Sequence, residues 1–152
     1  MVVEKPIMVA ELSINHLGMV KIAQKMIDEA VAGGADLIKL KYKNVKDYYK
    51  DDGKKWRNFN FKNYRASLEL SKEDFSQLAD YCNTKNIKWF CTVHDDKGLN
   101  FIKSFDPPYY KVASADADKI DLVNRVMALC YTENKPLIIS LGGKSDRDWE
   151  TT

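Results

Sequence analysis

The sequence predicts an α/β fold built on a parallel sheet, and three observations carry the prediction. Short apolar runs alternate with amphipathic segments in units of roughly 25–35 residues, through five strands. The apolar runs deliver their polar residues at the same end, as parallel α/β proteins do at the mouths of their sites. The composition, with 45% hydrophobic residues, 30% charged residues and four prolines, is that of a chain able to bury a core.

Each element follows from its own residues. Residues 7–12, IMVAEL, are an apolar run closed by Glu11 and read as the first strand. After NHLG, the residues Ile22, Met26, Ile27 and Ala30 recur at helical spacing, and Gly33-Gly34 stops the helix. The second strand spans about 37–42, with Lys39 and Lys41 on one face and Ile38 and Leu40 on the other. Ser71 caps the next helix, with Asp74 at its third position as a short-armed capping box, and Phe75, Leu78, Ala79 and Cys82 form its apolar face. IKWFCTV at 87–93 is a third strand, followed by a short helix in DDKGLNFIKSF. YYKVAS is a fourth strand, ADKIDLVNRVMALCYTEN a helix, and KPLIISLGG at 135–143 a fifth strand. Ser145, followed by Asp146, Asp148, Trp149 and Glu150, reads as the first turn of another helix.

A doubly wound sheet and a TIM (β/α)8 barrel both share this pattern. A complete barrel takes about 250 residues, and 152 residues supply little more than half of one. The expectation is therefore an N-terminal portion, residues 1–152, of a TIM-barrel catalytic domain carrying about the first five β/α units. The remaining strands and any C-terminal domain are then absent, because an open five-stranded piece exposes its edges. Completion of the barrel by a partner chain or a second copy is the alternative.

Charge and cysteine usage narrow the function classes. Net charge is +2, but residues 43–65 hold eight basic and three acidic side chains, so that segment alone carries +5. Basic residues interleaved with Tyr, Trp and Phe suit single-stranded nucleic acid. With no nucleic-acid motif beside them, a solvated loop over an anionic small-molecule site is the preferred reading, and no nucleic-acid partner is expected. Cys82, Cys91 and Cys130 lack metal-ligand spacing and read as buried free thiols of a reducing compartment. With no run of 18 apolar residues and no signal-like N-terminus, a soluble cytoplasmic protein without a membrane partner is expected. GKS at 143–145 lacks the spacing of a phosphate-binding P-loop.

The polar strand ends are Glu11 with Asn15 and His16; Lys39 and Lys41; Thr92, His94 and Asp95; Lys111, Ser114 and Asp116; and Ser140, Gly142 and Gly143. Singly, each has an ordinary alternative: edge lysines at 39 and 41, a snorkelling Lys111, a salt-bridged Glu11, loop or cap histidines, and hydroxyls that satisfy local backbone. Together, several ammonium groups, hydroxyls and a carboxylate suit a small substrate bearing phosphate and carboxylate. A desolvated lysine beside another cation also suits a Schiff-base aldolase using Lys111 or Lys39.

At these residues the chain resembles the sialic acid synthase family. AELSINHLG and AGGADLIKLK resemble the family's AEIGxNHxG and AGADxxKxQ patterns. YRASLELSKEDFSQLADYC, IKWFCTVHD, YYKVASAD and KPLIISLGG follow in the same order as its YR…ELSxED…LxxYC, IxFxSTPFD, YKIASGE and KPxIxSTGM elements. The resemblance implies a synthase that condenses phosphoenolpyruvate with an N-acetylated amino sugar, N-acetylmannosamine or a relative, and releases phosphate. By position, it implies that Lys39, Thr92, Lys111 and Ser114 hold the phosphate and carboxylate of phosphoenolpyruvate, with Ser140 near the same region. Glu11 matches the catalytic acidic residue, Asp116 the glutamate after the fourth strand, and Lys111 is assigned to catalysis as well as binding. The family's divalent metal, manganese or magnesium, is held by histidines of later strands, so His16 and His94 are not assigned as ligands. A homodimer is a further possibility of the resemblance. The departures are Lys41 for Gln, Thr92-Val93-His94 for TPF, Ala115-Asp116 for GE, and Ser140-Leu141-Gly142-Gly143 for STGM. They point to a different acceptor sugar or to a non-catalytic anion-binding paralogue, and the 152-residue chain alone is expected to be inactive.

Overall fold

The computed structural model describes residues 5–49 and 59–143. The chain runs β1 (Val9–Ser13), α1 (Val20–Ala32), β2 (Leu37–Lys41), α2 (Val45–Tyr48), α3 (Phe61–Ser67), α4 (Lys72–Thr84), β3 (Lys88–Val93), α5 (Asp96–Lys103), β4 (Tyr110–Val112), a 3-10 turn (Ser114–Asp116), α6 (Ile120–Glu133) and β5 (Leu137–Ile139). The helix expected from Ser145, and the middle of the basic segment, lie outside the described residues.

All four strand pairs are parallel, and the sheet order is β1-β2-β3-β4-β5. A doubly wound sheet reverses its strand order at a switch point, whereas a barrel wall keeps strands in chain order. The order found here is the barrel's. The fold is a TIM-barrel wall of five strands.

Strand alternation divides the sheet into two faces. Leu12, Ile38, Leu40, Cys91, Val93, Tyr110 and Val112 point to the helices, where they pack with Ala23, Ile27, Phe75, Leu78, Ile102, Leu122 and Val126. The opposite face is apolar towards the strand N-termini, where Ile7, Val9, Leu37, Phe90, Tyr109 and Ile138 line a small hollow of about 120 Å³. Towards the C-termini that face turns polar, with Glu11, Lys39, Lys41, Thr92 and Lys111 in sequence across it.

The helix signals behave as their chemistry dictates. Ser71 Oγ accepts from the Asp74 N–H at 3.1 Å, and the Asp74 carboxylate accepts from the Ser71 N–H at 2.9 Å, so the box closes in full despite the short aspartate. Ser71→Ala is expected to cost about 1 kcal/mol, read as a lower urea midpoint at unchanged slope. Gly18 has φ +75°, and a Cβ there would stand 2.7 Å from the Ser67 carbonyl oxygen. Only glycine lets the β1–α1 loop pass that close to the end of α3.

The basic segment differs from a simply solvated loop. It contributes the two short helices α2 and α3, and both Lys43 and Arg65 are buried. Arg65 forms an ion pair with Glu69 one turn on, and the Lys43 side chain lies against the rings of Tyr48 and Tyr49.

Candidate functional site

The site is built from strand register. β2 sits between β1 and β3, and β4 between β3 and β5, so Lys39, Lys41 and Lys111 stand on interior strands. An edge-protection role for the two β2 lysines is thereby overturned. Glu11 is opposite Lys39, and Lys41, Thr92 and Lys111 are opposite one another across three strands. Three ammonium-bearing side chains thus share one face within a few strand spacings of about 4.8 Å.

Their partners are few. Lys39 Nζ contacts Glu11 Oε2, while Glu11 Oε1 accepts from the Ser13 N–H at 3.0 Å. Lys111 Nζ donates to Ser140 Oγ, a neutral partner. Ser114 Oγ donates to the Gly142 carbonyl, fastening the β4 exit to the β5 exit. Thr92 is buried between the lysines.

Burial, and then repulsion from Lys111 and Lys41, lowers Lys39 to about 8. Burial and Lys41 push Lys111 down as well. Burial is the larger cause at both lysines, and each ammonium would regain basicity if an anion sat among them.

A second group closes the rim above this face. Asp116 is fully buried, and its carboxylate accepts from Tyr48 Oη at 3.0 Å and pairs with Lys119 Nζ at 2.7 Å and His94 Nδ1 at 2.6 Å. Burial alone raises a carboxyl, but the bonds from His94 and Lys119 outweigh it and hold Asp116 at about 2. An ionised carboxylate only accepts, so Nδ1 of His94 carries the proton and Nε2 the lone pair. The imidazole itself is held below its ordinary range, first by burial and then by Lys43 and Lys41, against the pull of Asp116. Tyr48 lies between cations, with Lys43 Nζ at 3.6 Å and Lys119 Nζ at 4.5 Å from its ring centre.

The structure thus brings Glu11, Lys39, Lys41, Thr92, Lys111 and Ser140 to one face, with Ser114 at its margin. It places Asp116 under the rim, with its carboxylate engaged by three side chains. Tyr48 and Lys119 are neighbours that sequence reasoning missed, and His94, named there at the end of the third strand, was not linked to Asp116. Tyr48 is 68 residues from Asp116 and has no periodic signal; the replacement of phenylalanine by His94 beside the shortened acid was the available clue. His16 is buried apart from this group, and its Nδ1 accepts from the Gly18 N–H at 3.1 Å.

Among the described residues, no group of three or more His, Cys, Asp or Glu side chains is placed to hold a metal ion. The three cysteines are buried and free. No helix among the described residues is long and apolar enough to cross a membrane.

A sequence model described as the NeuB family matches residues 26–152. The chain is 28% identical over 150 residues to N-acetylneuraminate-9-phosphate synthase of Drosophila melanogaster, covering 92% of this chain and 38% of that protein. It is 30% identical over 147 residues to pseudaminic acid synthase of Campylobacter jejuni, covering 91% of this chain and 42% of that protein. The chain therefore spans about two fifths of the length of these relatives. Among solved structures, the N-acetylneuraminic acid synthetase of Leptospira borgpetersenii, in complex with citrate, superposes with a TM-score of 0.81 at 28% identity, over 97% of this chain and 48% of that one.

Proposed function

The chain belongs to the NeuB family, and from that premise we propose that its lysine face is the phosphoenolpyruvate-binding wall of a nonulosonic acid synthase. The observation that carries the reading is the juxtaposition of Lys39, Lys41 and Lys111 on one sheet face where, among the described residues, Glu11 is the paired carboxylate. Such a cluster is electrostatically costly when empty and stabilised by a ligand carrying a phosphate and a carboxylate.

In this reading Lys39 and Lys111 bind the two anionic groups, with hydroxyls of Thr92, Ser114 and Ser140 fixing their orientation. Lys41 extends the positive field towards the acceptor, an N-acetylated amino sugar. Carbon 3 of phosphoenolpyruvate attacks the open-chain aldehyde of the sugar, water adds at carbon 2, and phosphate leaves by C–O cleavage. Glu11, at the end of β1 and already bonded to Lys39, is positioned to orient the sugar or the water. The lysines neutralise the charge on the departing phosphate. In the complete enzyme a divalent metal would polarise the aldehyde, from ligands other than the residues described here.

Calorimetric titration with phosphoenolpyruvate tests the reading. Saturable binding is expected near neutral pH, weakening as pH rises through about 8, where Lys39 loses its proton in the free protein. Binding that is absent, or that strengthens over that interval, would contradict it. The lowered Lys39 also suits a Schiff base. Borohydride with pyruvate distinguishes the two, because the synthase reading predicts no covalent adduct at Lys39 or Lys111.

A further inference from the structure

A cavity of about 500 Å³ opens at the exits of β3 and β4, between the first turns of α5 and α6. That volume is within the range of small-molecule sites. None of Lys39, Lys41 and Lys111 lines it. Its wall holds four carboxylates, Asp95, Asp96, Asp118 and Asp121, against two cations, Lys119 and Arg125. Both cations are engaged: Lys119 pairs with Asp116 at 2.7 Å, and Arg125 with Asp96 at 2.6 Å. Counting each helix end as about half a positive charge still leaves the wall negative.

Asp96 and Asp121 have an ordinary account, because first-turn carboxylates offset those helix ends. Two other atoms have none. His94 is 2% exposed, its Nδ1 is fixed on Asp116 at 2.6 Å, and its Nε2 is buried without a hydrogen-bond partner among the described residues. His94 lines the cavity and Asp116 does not, so Nε2 is the ring nitrogen left for the cavity side. Asp95 Oδ1 caps α5 by accepting from the Gly98 N–H at 2.7 Å, while its Oδ2 is buried and likewise without a partner. Buried polar atoms of native folds are nearly always satisfied. Both of these are acceptors, since Nε2 carries the lone pair and a carboxylate has no proton to give. The partner they call for is a donor, and the charge of the wall makes it a cation. No three His, Cys, Asp or Glu side chains among the described residues are placed to hold a metal ion, which leaves a cation that binds through N–H. Ile120 and Leu122 complete the wall with apolar surface.

We propose that this cavity is a binding site for a primary ammonium group on a short aliphatic stem, which donates to His94 Nε2 and Asp95 Oδ2 and lays its stem on Ile120 and Leu122. An ammonium has three donors and no acceptor, so it fills both orphaned atoms and keeps one N–H for a neighbouring carboxylate, in charge-assisted bonds. Its occupant ties the exit of β3 to the start of α6. The inference is independent of the reading of the lysine face.

Propylammonium is the probe. Tetramethylammonium, which has the charge but no N–H, and magnesium are the comparisons. Nitrogen NMR of the imidazoles near neutral pH reads the outcome, because an unprotonated ring nitrogen shifts when its lone pair accepts a hydrogen bond. His94 is neutral there, held low chiefly by burial, and His16, the other histidine of the chain, is the internal reference. Propylammonium is expected to shift His94 Nε2 saturably and leave His16 in place, with no saturable shift from either comparison. Asp95→Asn keeps a capping oxygen for Gly98 and removes the acceptor pair, and should weaken propylammonium binding about tenfold or more, the loss of one charge-assisted bond. Asp121→Asn, at an exposed position, should weaken it about twofold to threefold through charge alone, and decides the matter if Asp95→Asn fails to fold. An equal response to tetramethylammonium, a response to magnesium alone, no response at all, or unchanged affinity in the folded variants would each overturn the proposal.

Discussion

Replacing Lys39 and Lys111 together by methionine should weaken phosphoenolpyruvate binding by at least about 100-fold. Each lysine contributes one charge-assisted contact to the proposed anion, worth about 1.5–3 kcal/mol, and two such losses exceed the span of two decades in affinity. Each single substitution should cost about tenfold or more. Methionine keeps most of the side-chain volume, and removing one of three neighbouring cations relieves repulsion, so the thermal midpoint should hold or rise. Glu11 loses its partner in Lys39→Met, but its side chain is 43% exposed, and water takes over that role at little cost. Glu11→Gln is the matching control: it removes the competing carboxylate and should leave anion binding intact or strengthened. A double variant that still binds at wild-type affinity would place the anion elsewhere.

Asp116→Ala should destabilise the chain by about 1–3 kcal/mol, read by denaturant midpoint, because it leaves donors without their acceptor. The carboxylate is the only negative group shared by Tyr48, His94 and Lys119 in the described contacts. Its removal strands a half-buried phenol and a buried imidazole and takes away the carboxylate that Lys119 pairs with. Asp116→Asn keeps the volume and one acceptor and should lose less. The pH dependence has a definite sign. Asp116 is held at about 2, below its ordinary range near 3.9, so its contribution is complete above that range and lost as pH falls towards 2. His94 is also depressed, so the unfolded chain protonates first on acidification, and stability declines from about pH 6.5 downward. In the Asp116→Ala protein the lower-pH loss should vanish.

The strands and helices were legible because their residues repeat at the period of the element they form. Ile22, Met26 and Ile27 define α1 without any tertiary information, and SKED announces the start of α4. The face that carries the site was legible too, since Lys39 and Lys41 alternate with Ile38 and Leu40. Strand order was not. Doubly wound sheets and barrels present the same alternation, and it is the pairing of β2 with β3 and of β3 with β4, in one unbroken order, that separates them. The basic segment hid α2 and α3 because each buries a single side chain, Val45 and Arg65, in a charged stretch, and because Arg65, like Lys43 just before α2, is buried through an ion pair or rings rather than through apolarity. The Tyr48–Asp116–His94 group was illegible for a different reason: its members come from α2, the 3-10 turn after β4 and the exit of β3, and nothing in local spacing brings a tyrosine to an aspartate 68 residues away.

These observations tie the family's positions to a physical cause. The lysine of YYKVASAD stands within a strand, with Thr92 and Ile138 as its neighbours across the sheet, and among the described residues its ammonium donates to the neutral Ser140. A counter-charge is what the proposed substrate supplies.

The central claim, that this face holds phosphoenolpyruvate, is tested most directly by the phosphorus NMR signal of that compound during titration with the chain at neutral pH. The account predicts a saturable shift or broadening that sulfate reverses and that the Lys39→Met, Lys111→Met double variant does not produce. A phosphorus signal unchanged by the wild-type chain, or changed equally by the double variant, would contradict it.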